Sequence, residues 1–326
     1  MPVDLRPAGP GLLIVIGGAE DKLGSKAILS RFVRLAGGPQ ARLAILSTAS
    51  SLGDEATELY RALFTGLGVS DVRGLRPLTR KGADSAHAVE TVADATGIFM
   101  TGGNQLKLTT VVAGTALGRA IFAAYQRGAV VAGTSAGASA MSTHMVAFGS
   151  EGPAPKNRMA QLSAGLGLVD GVIIDQHFEQ RTRIGRLLTL VAQSPSHLGL
   201  GVDEDTAALI DADGVLEVIG RGTVMVVDGT HVETNIAVAK RTDPVLVSGA
   251  VLHALPAGAR FDLHERHLLP SIPSRDRVAV TEVTRVGEAR RRLAQRVAAE
   301  GADDAVVERN ERRRARRQRA AGKGDS

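Results

Sequence analysis

Leu12-Leu13-Ile14-Val15-Ile16 is an unbroken apolar run closed by Gly17-Gly18, the pattern of a strand buried on both faces of a parallel sheet. A polar stretch, Ala19-Glu20-Asp21-Lys22, follows as a loop, and a helix is predicted from about Ser25. The pattern then repeats. Residues 43–49 read as a strand and 54–67 as a helix. Residues 72–75 and the segment 89–95 lead to another apolar run at 97–100, which ends in Thr101-Gly102-Gly103-Asn104-Gln105. Residues 106–127 read as one helix feeding a further strand at 128–133. Apolar strands alternating with helices predict an α/β fold with a doubly wound, mostly parallel sheet flanked by helices and its site at the carboxyl ends of the strands.

Downstream the period changes. Residues 148–167 carry glycine and proline and are predicted as a loop over the site. Residues 171–178 form another strand that ends in Asp175-Gln176-His177, and 182–193 form an amphipathic helix bearing arginines. Residues 198–205 are a strand turning acidic at Asp203-Glu204-Asp205. From 207 to 252, short alternating runs with turns at Asp211-Ala212-Asp213-Gly214 and Asp228-Gly229 predict β-hairpins at the C-terminal edge of the sheet. A helix is predicted over 284–298. The division expected is a catalytic domain over 1–285, then a C-terminal helix and Arg-rich tail over 286–326, partly disordered.

Charge and composition narrow the picture. The formal net charge of +5 sits in the tail: from Arg309 to Ser326 eight basic residues face Glu311 and Asp325, a net +6, which leaves the remainder at −1. The high pI therefore says little about the folded body. No aromatic residue is interleaved with those arginines, so base stacking has no support and nucleic acid is not an expected partner. There is no cysteine, which removes disulfides, zinc–thiolate sites and a thiol nucleophile together. No apolar stretch reaches the ~18 residues of a membrane helix, so no membrane partner and a cytoplasmic location are expected.

The chemistry centres on Gly133-Thr134-Ser135-Ala136-Gly137. A strand passing through Gly-x-Ser-x-Gly into a helix is a nucleophile elbow, a sharp turn that presents the serine hydroxyl. Serine needs a base, and His177 at another strand end is the best placed; an acid must then orient the imidazole, with Glu204 the first choice. The N–H of Ala136 at the helix start and that of Gly103 are the expected oxyanion donors. Gly17-Gly18 and Gly102-Gly103 give neither Gly-x-Gly-x-x-Gly nor a Walker pattern, so no nucleotide cofactor is expected. His264 and His267 lie close together but lack further ligands, and no metal is assigned.

Five segments in order carry a resemblance. Gly17-Gly18-Ala19-Glu20-Asp21-Lys22, Thr101 to Gln105, Gly133 to Ala138, Ile174 to Phe178 with Gln180-Arg181 and Gly185-Arg186, and Gly201 to Ala207 resemble the cyanophycinases over about residues 10–270. These belong with aspartyl dipeptidases in a serine peptidase family whose fold is similar to class I glutamine amidotransferases. The resemblance implies a serine exopeptidase that hydrolyses cyanophycin, a poly-aspartate whose side chains carry arginine, to β-Asp-Arg dipeptides. It implies Ser135 as nucleophile, His177 as base and Glu204 as acid, with Glu151 a second candidate acid. It also implies Gln105, Gln176, Arg181, Arg183 and Arg186 as substrate contacts, although Arg183 and Arg186 also fit a solvated helix face. A homodimer is implied. The rival readings are an aspartyl dipeptidase acting on β-aspartyl peptides and a non-catalytic binding protein on the same fold.

Overall fold

The computed structural model describes residues 9–270. The helix expected at 284–298 and the Arg-rich tail lie outside them. The parallel half of the fold comprises β1 (Leu13–Ile16), α1 (Ala27–Leu35), β2 (Arg42–Leu46), α2 (Asp54–Gly66), β3 (Asp71–Leu75), α3 (Arg80–Ala83), α4 (Ala86–Ala93), β4 (Gly97–Met100), α5 (Gln105–Val112), α6 (Ala116–Gln126), β5 (Val130–Thr134) and α7 (Ala136–Ser139). There follow β6 (His144–Gly149), β7 (Ala160–Ala164), β8 (Val172–Gln176), α8 (Ile184–Gln193), β9 (Leu198–Val202), β10 (Thr206–Ile210), β11 (Val215–Gly220) and β12 (Thr223–Asp228). The last elements are β13 (Glu233–Thr234), β14 (Val247–Ser248), β15 (Val251–Pro256), β16 (Arg260–Asp262) and β17 (His267–Leu269).

The main sheet runs β17-β16-β11-β10-β1-β5-β4-β2-β3. From β1 to β3 all pairings are parallel, and from β1 to β17 all are antiparallel; the hairpin predicted at Asp211–Gly214 is β10–β11 in that flank, whereas the strand that ends at the predicted Asp228-Gly229 turn, β12, pairs with β15 and β9 in a separate sheet. The parallel strands are apolar on both faces because both are covered. Ile14, Ile16, Ile45 and Phe99 pack against Phe32 of α1 and Phe64 of α2, whereas Leu13, Val15, Leu46 and Met100 face the cluster that holds α4, α5 and α6. Phe32, Phe64, Phe99 and Tyr60 interlock with ring centroids 4.5 to 6.1 Å apart.

The histidine and acid strands do not extend this sheet. β8 and β9 pair parallel in a separate four-stranded sheet, β15-β12-β9-β8. One face of that sheet, with Ile174, Leu200 and Val202, joins the core of the main sheet; the other, with Ile173 and Val227, packs on Leu187, Leu190 and Val191 of α8. The chain changes sheets within Asp203-Glu204-Asp205, between β9 and β10. So the site expected along one sheet edge lies where two sheets meet.

Two further predictions change. The single helix expected at 106–127 is two, because Gly114 has φ +72° and Thr115 starts a new helix, its hydroxyl accepting from the Gly118 N–H at 3.2 Å. The loop expected at 148–167 contains β7, paired with β6 across a bulge at Val146–Phe148. Among the described residues no single helix is long and apolar enough to cross a membrane; α5 and α6 pass together only as a pair bent by 96°.

At the elbow, β5 and α7 are in backbone contact. A Cβ on Gly133 would overlap the Gly137 backbone, and one on Gly137 would overlap the Met100 carbonyl oxygen of β4. Neither neighbour can swing away, since both are backbone. Gly133→Ala is therefore expected to destabilise the protein by about 3 kcal/mol or more, the upper end of overpacking costs, read as a lower urea midpoint.

Candidate active site

Ser135 follows the last residue of β5 and precedes the first of α7, at φ 52° and ψ −110°. That conformation costs a non-glycine residue about 1–3 kcal/mol and is held by its surroundings. The Ser135 N–H donates to the Ile16 carbonyl, and its own carbonyl accepts from Ala138 and Ser139 as the helix begins. The hydroxyl is thereby turned away from the helix axis towards the end of β8. Ser135 as a whole is buried, with 6% of its surface exposed.

His177 meets it. Nε2 of the imidazole lies 3.0 Å from Ser135 Oγ, and Nδ1 lies 2.6 Å from Oε1 of Glu204. His177 has a left-handed backbone, φ 47°, and its N–H donates to the Gly17 carbonyl at 2.8 Å, which ties the second sheet to the end of β1. Gly18 lies against the ring: a Cβ there would overlap the imidazole. Asp205, also left-handed at φ 49°, donates its N–H to the Gly18 carbonyl and accepts from the Asp21 N–H. These contacts fix the relative position of three chain segments that sequence alone leaves unconnected.

The electrostatics follow from the burial. Desolvation pushes the His177 imidazole below its ordinary pKa, Glu204 pulls it back up, and the Arg181 charge adds to the fall. The imidazole is thus neutral and able to accept a proton at pH 7. The hydrogen bond with His177 holds the Glu204 carboxyl below its usual range, against partial burial. An ionised carboxylate at Nδ1 fixes the tautomer whose Nε2 lone pair faces the serine.

Of the two candidate acids, only Glu204 reaches His177. Glu151 is exposed, and its Oε1 lies 3.8 Å from the Arg183 guanidinium. Gln176 is buried with Oε1 3.3 Å from Ser135 Oγ. Gln105 anchors the β6 bulge, its amide donating to the Val146 and Ala147 carbonyls at 3.1 and 2.9 Å. Gly102 packs beside the Ser135 side chain, which brings the Gly102-Gly103 turn next to the hydroxyl. Ala136 occupies the first position of α7, where a backbone N–H has no partner within the helix. Arg181 lies one turn beyond His177, its N–H donating to the His177 carbonyl.

Arg183 and Arg186 are not on a solvated face. Both are buried, at 3% and 2% exposure, around the fully buried Asp175. Arg186 clasps the carboxylate with two bonds, Nε to Oδ2 at 2.6 Å and Nη2 to Oδ1 at 2.5 Å, and Arg183 adds Nη1 to Oδ1 at 3.3 Å. Arg183 also donates to the Gln176 carbonyl at 2.6 Å. Burial alone would push the Asp175 carboxyl up; the two guanidinium groups hold it well below instead. The cluster fixes the peptide immediately before His177.

Three residues carry more of the site than their sequence context indicated. Asp175 is one. Asp203, read only as part of the acidic end of a strand, is a buried tie: it accepts from the Glu179 N–H and from both the N–H and hydroxyl of Thr223. Glu20, read as part of a polar loop, is buried and accepts from the Tyr60 and Thr134 hydroxyls at 2.5 and 2.6 Å, with Lys22 at 2.9 Å. It therefore holds the residue just before Ser135. The signals for Glu20 were its place two residues after the glycine pair that closes a buried strand and its inclusion in the Gly17–Lys22 segment of the resemblance.

Residues 12–218 match peptidase family S51. The chain is 40% identical over 252 residues to the cyanophycinase of Geminocystis herdmanii, covering 77% of this chain and 93% of that protein. It is 38% identical over 262 residues to the cyanophycinase of Nostoc sp., covering 80% and 88%, and 37% identical over 255 residues to that of Synechococcus elongatus, covering 78% and 79%. A crystal structure of a peptidase from an acI-B1 Actinobacterium superposes with a TM-score of 0.55 at 23% identity, covering 76% of this chain and 98% of that one, a likeness of fold. With the family pattern spanning the parallel sheet, the elbow and the strands that deliver His177 and Glu204, the chain belongs to peptidase family S51.

Proposed function

We propose that this S51 peptidase is a cyanophycinase, a serine exopeptidase that hydrolyses the arginylated poly-aspartate cyanophycin to β-Asp-Arg dipeptides. The observation that carries the reading is the hydrogen-bonded run Ser135–His177–Glu204 in a chain 40% identical to a cyanophycinase. Ser135 Oγ attacks the main-chain carbonyl as its proton passes to His177 Nε2. Glu204 stabilises the imidazolium, and the Ala136 and Gly103 N–H groups receive the oxyanion. His177 then protonates the departing amine, leaving an acyl-enzyme. A water that gives its proton to His177 releases the acyl group and restores the serine.

The substrate offers carboxylates and guanidinium groups together. Gln176 and Gln105, which flank the hydroxyl and the bulge beside it, and Arg181 beyond His177 are the proposed contacts. Arg183 borders the site through Gln176 and Glu151, so it serves both the substrate side and Asp175. Arg186, bidentate on Asp175, acts as a positioning residue. Glu151 is proposed as a partner of Arg183 rather than as the acid of the relay.

The cytoplasm is the proposed compartment, since a chain without cysteine draws no stability from an oxidising one. A homodimer is proposed with it: β15 is the edge strand of the second sheet and exposes Val251 and Leu252. Sedimentation equilibrium at twice the chain mass bears this out, and a concentration-independent monomer refutes it.

With insoluble cyanophycin, the wild type is expected to release β-Asp-Arg detectable by mass spectrometry. Ser135→Ala is expected to lose about 10⁶-fold in kcat and Glu204→Gln about 10⁴-fold. An intact polymer alongside cleaved Asp-x dipeptides would instead identify an aspartyl dipeptidase, and inertness towards both would leave a binding protein.

The pH profile follows from the burial of His177. Only the neutral imidazole accepts the serine proton, and its pKa in the folded chain lies below 6.5. The acid limb of kcat/KM is therefore expected to have its midpoint below pH 6.5, with a plateau through neutrality. A midpoint above 6.5 would contradict the role of burial.

A further inference from the structure

At the opposite end of the second sheet from His177, three side chains of metal-binding type meet. His144 opens β6, Asp170 lies in the turn before β8, and His197 lies in the turn before β9. Nδ1 of His144 and Nε2 of His197 are 3.1 Å apart, with the rings at 87° to each other. A ring nitrogen of each histidine and a carboxylate oxygen of Asp170 all lie within 4.8 Å of one another. We propose that His144, Asp170 and His197 bind a borderline divalent transition-metal cation, Zn²⁺ in the first instance, that fastens this end of the sheet.

Geometry supports it. Two nitrogens bound to one tetrahedral ion at about 2.0–2.1 Å lie about 3.3–3.4 Å apart, close to the spacing already present. The donor set of two imidazoles and one carboxylate suits Zn²⁺, Ni²⁺ or Cu²⁺ better than Ca²⁺ or Mg²⁺, which prefer all-oxygen sites. The remaining positions on the ion would be taken by water, since His144 and Asp170 are exposed.

The second layer is also in place. Ser196 Oγ lies 3.1 Å from His197 Nδ1, so that nitrogen is engaged and Nε2 faces the site. When His197 Nδ1 carries the proton, the contact with His144 is a hydrogen bond from His144 Nδ1. Metal binding then asks only that exposed His144 move its N–H to Nε2, with no net proton lost.

The backbones that carry the ligands are pinned. The Thr143 N–H donates to the Val169 carbonyl at 2.9 Å, and the Leu198 N–H to the Gly171 carbonyl at 2.8 Å. The neighbouring cation, Arg266, is bound to Asp228 at 2.6 Å and to the Ser196 carbonyl, so its charge is partly neutralised before an ion arrives.

The five residues of β8 separate this cluster from His177 by about 16 Å, so the ion would have no part in the peptidase chemistry. Its effect would be on the sheet that carries His177 and Glu204 at its other end. Binding only to the folded chain raises the unfolding temperature as the free ion increases.

Calorimetric titration of untagged, full-length protein, cleared of metal with EDTA and dialysed, tests the site. One Zn²⁺ per chain is expected, with a higher melting temperature and a visible d–d band when Co²⁺ is used. His144→Ala/His197→Ala is expected to weaken Zn²⁺ binding by about a hundredfold or more, and Asp170→Asn by about tenfold. Circular dichroism and an unchanged rate on cyanophycin show that each variant is folded; if the double variant is not, His144→Gln and Asp170→Asn, both on exposed side chains, carry the test. Equal Zn²⁺ affinity in wild type and variants, or no binding by the wild type, overturns the proposal.

Discussion

Where the end of β1 meets the ends of β8 and β9 there is no room for a side chain. A Cβ on Gly17 would overlap the Asp203 carbonyl oxygen, and one on Gly18 would overlap the His177 ring. Into that gap two backbone bonds are packed, His177 N–H to Gly17 carbonyl and Asp205 N–H to Gly18 carbonyl, beside Gly17 N–H to Thr206 carbonyl, which continues the β1–β10 ladder of the main sheet. The seam joins two separate sheets at the point where their functional residues sit. Ser135 rides on one sheet, His177 and Glu204 on the other, so their mutual geometry is only as good as this junction.

Buried charge stiffens the junction from both sides. Asp175 is clasped by Arg186 and Arg183 behind the histidine, and Glu20 receives Tyr60, Thr134 and Lys22 behind the serine. A buried ion pair contributes little net stability, yet removing one partner costs about 3–5 kcal/mol because the other charge is stranded. Such clusters tolerate few alternative arrangements. Left-handed backbone at Ser135, His177 and Asp205 is sustained by this surrounding rigidity.

The arrangement is economical in its use of burial. Burial lowers the His177 pKa and leaves the imidazole neutral at pH 7, while the part-buried Glu204 stays ionised beside it, the two charge states that the proposed relay requires. Arg181, close to both, favours the neutral base and the charged acid together. Burial favours the neutral form of both groups; it prevails at the deeply buried His177, whereas at the shallower Glu204 the hydrogen bond with His177 outweighs it and keeps the carboxylate charged.

Much of this was legible in the residues. Continuous apolar runs, closed by glycine at β1, β4 and β5 and by small polar residues at β2, fix these strands because a strand covered on both faces has no polar side to show, and Gly-x-Ser-x-Gly marks the elbow because only glycine permits that backbone approach. The hairpin at β6–β7 and the break at Gly114 were less visible: glycine and proline signal a turn without saying whether strands or helices flank it. Arg183 and Arg186 were expected as substrate contacts or on a solvated helix face, and Asp175 only as part of a polar strand end, since a sequence does not record which buried charges find each other. The sequence by itself determined the local elements and the chemical types at their ends. Only the tertiary structure decided that β8 and β9 form a second sheet, that the chain crosses between sheets at Glu204, and that this residue rather than Glu151 meets His177, because contacts between segments far apart in the chain depend on how whole layers pack.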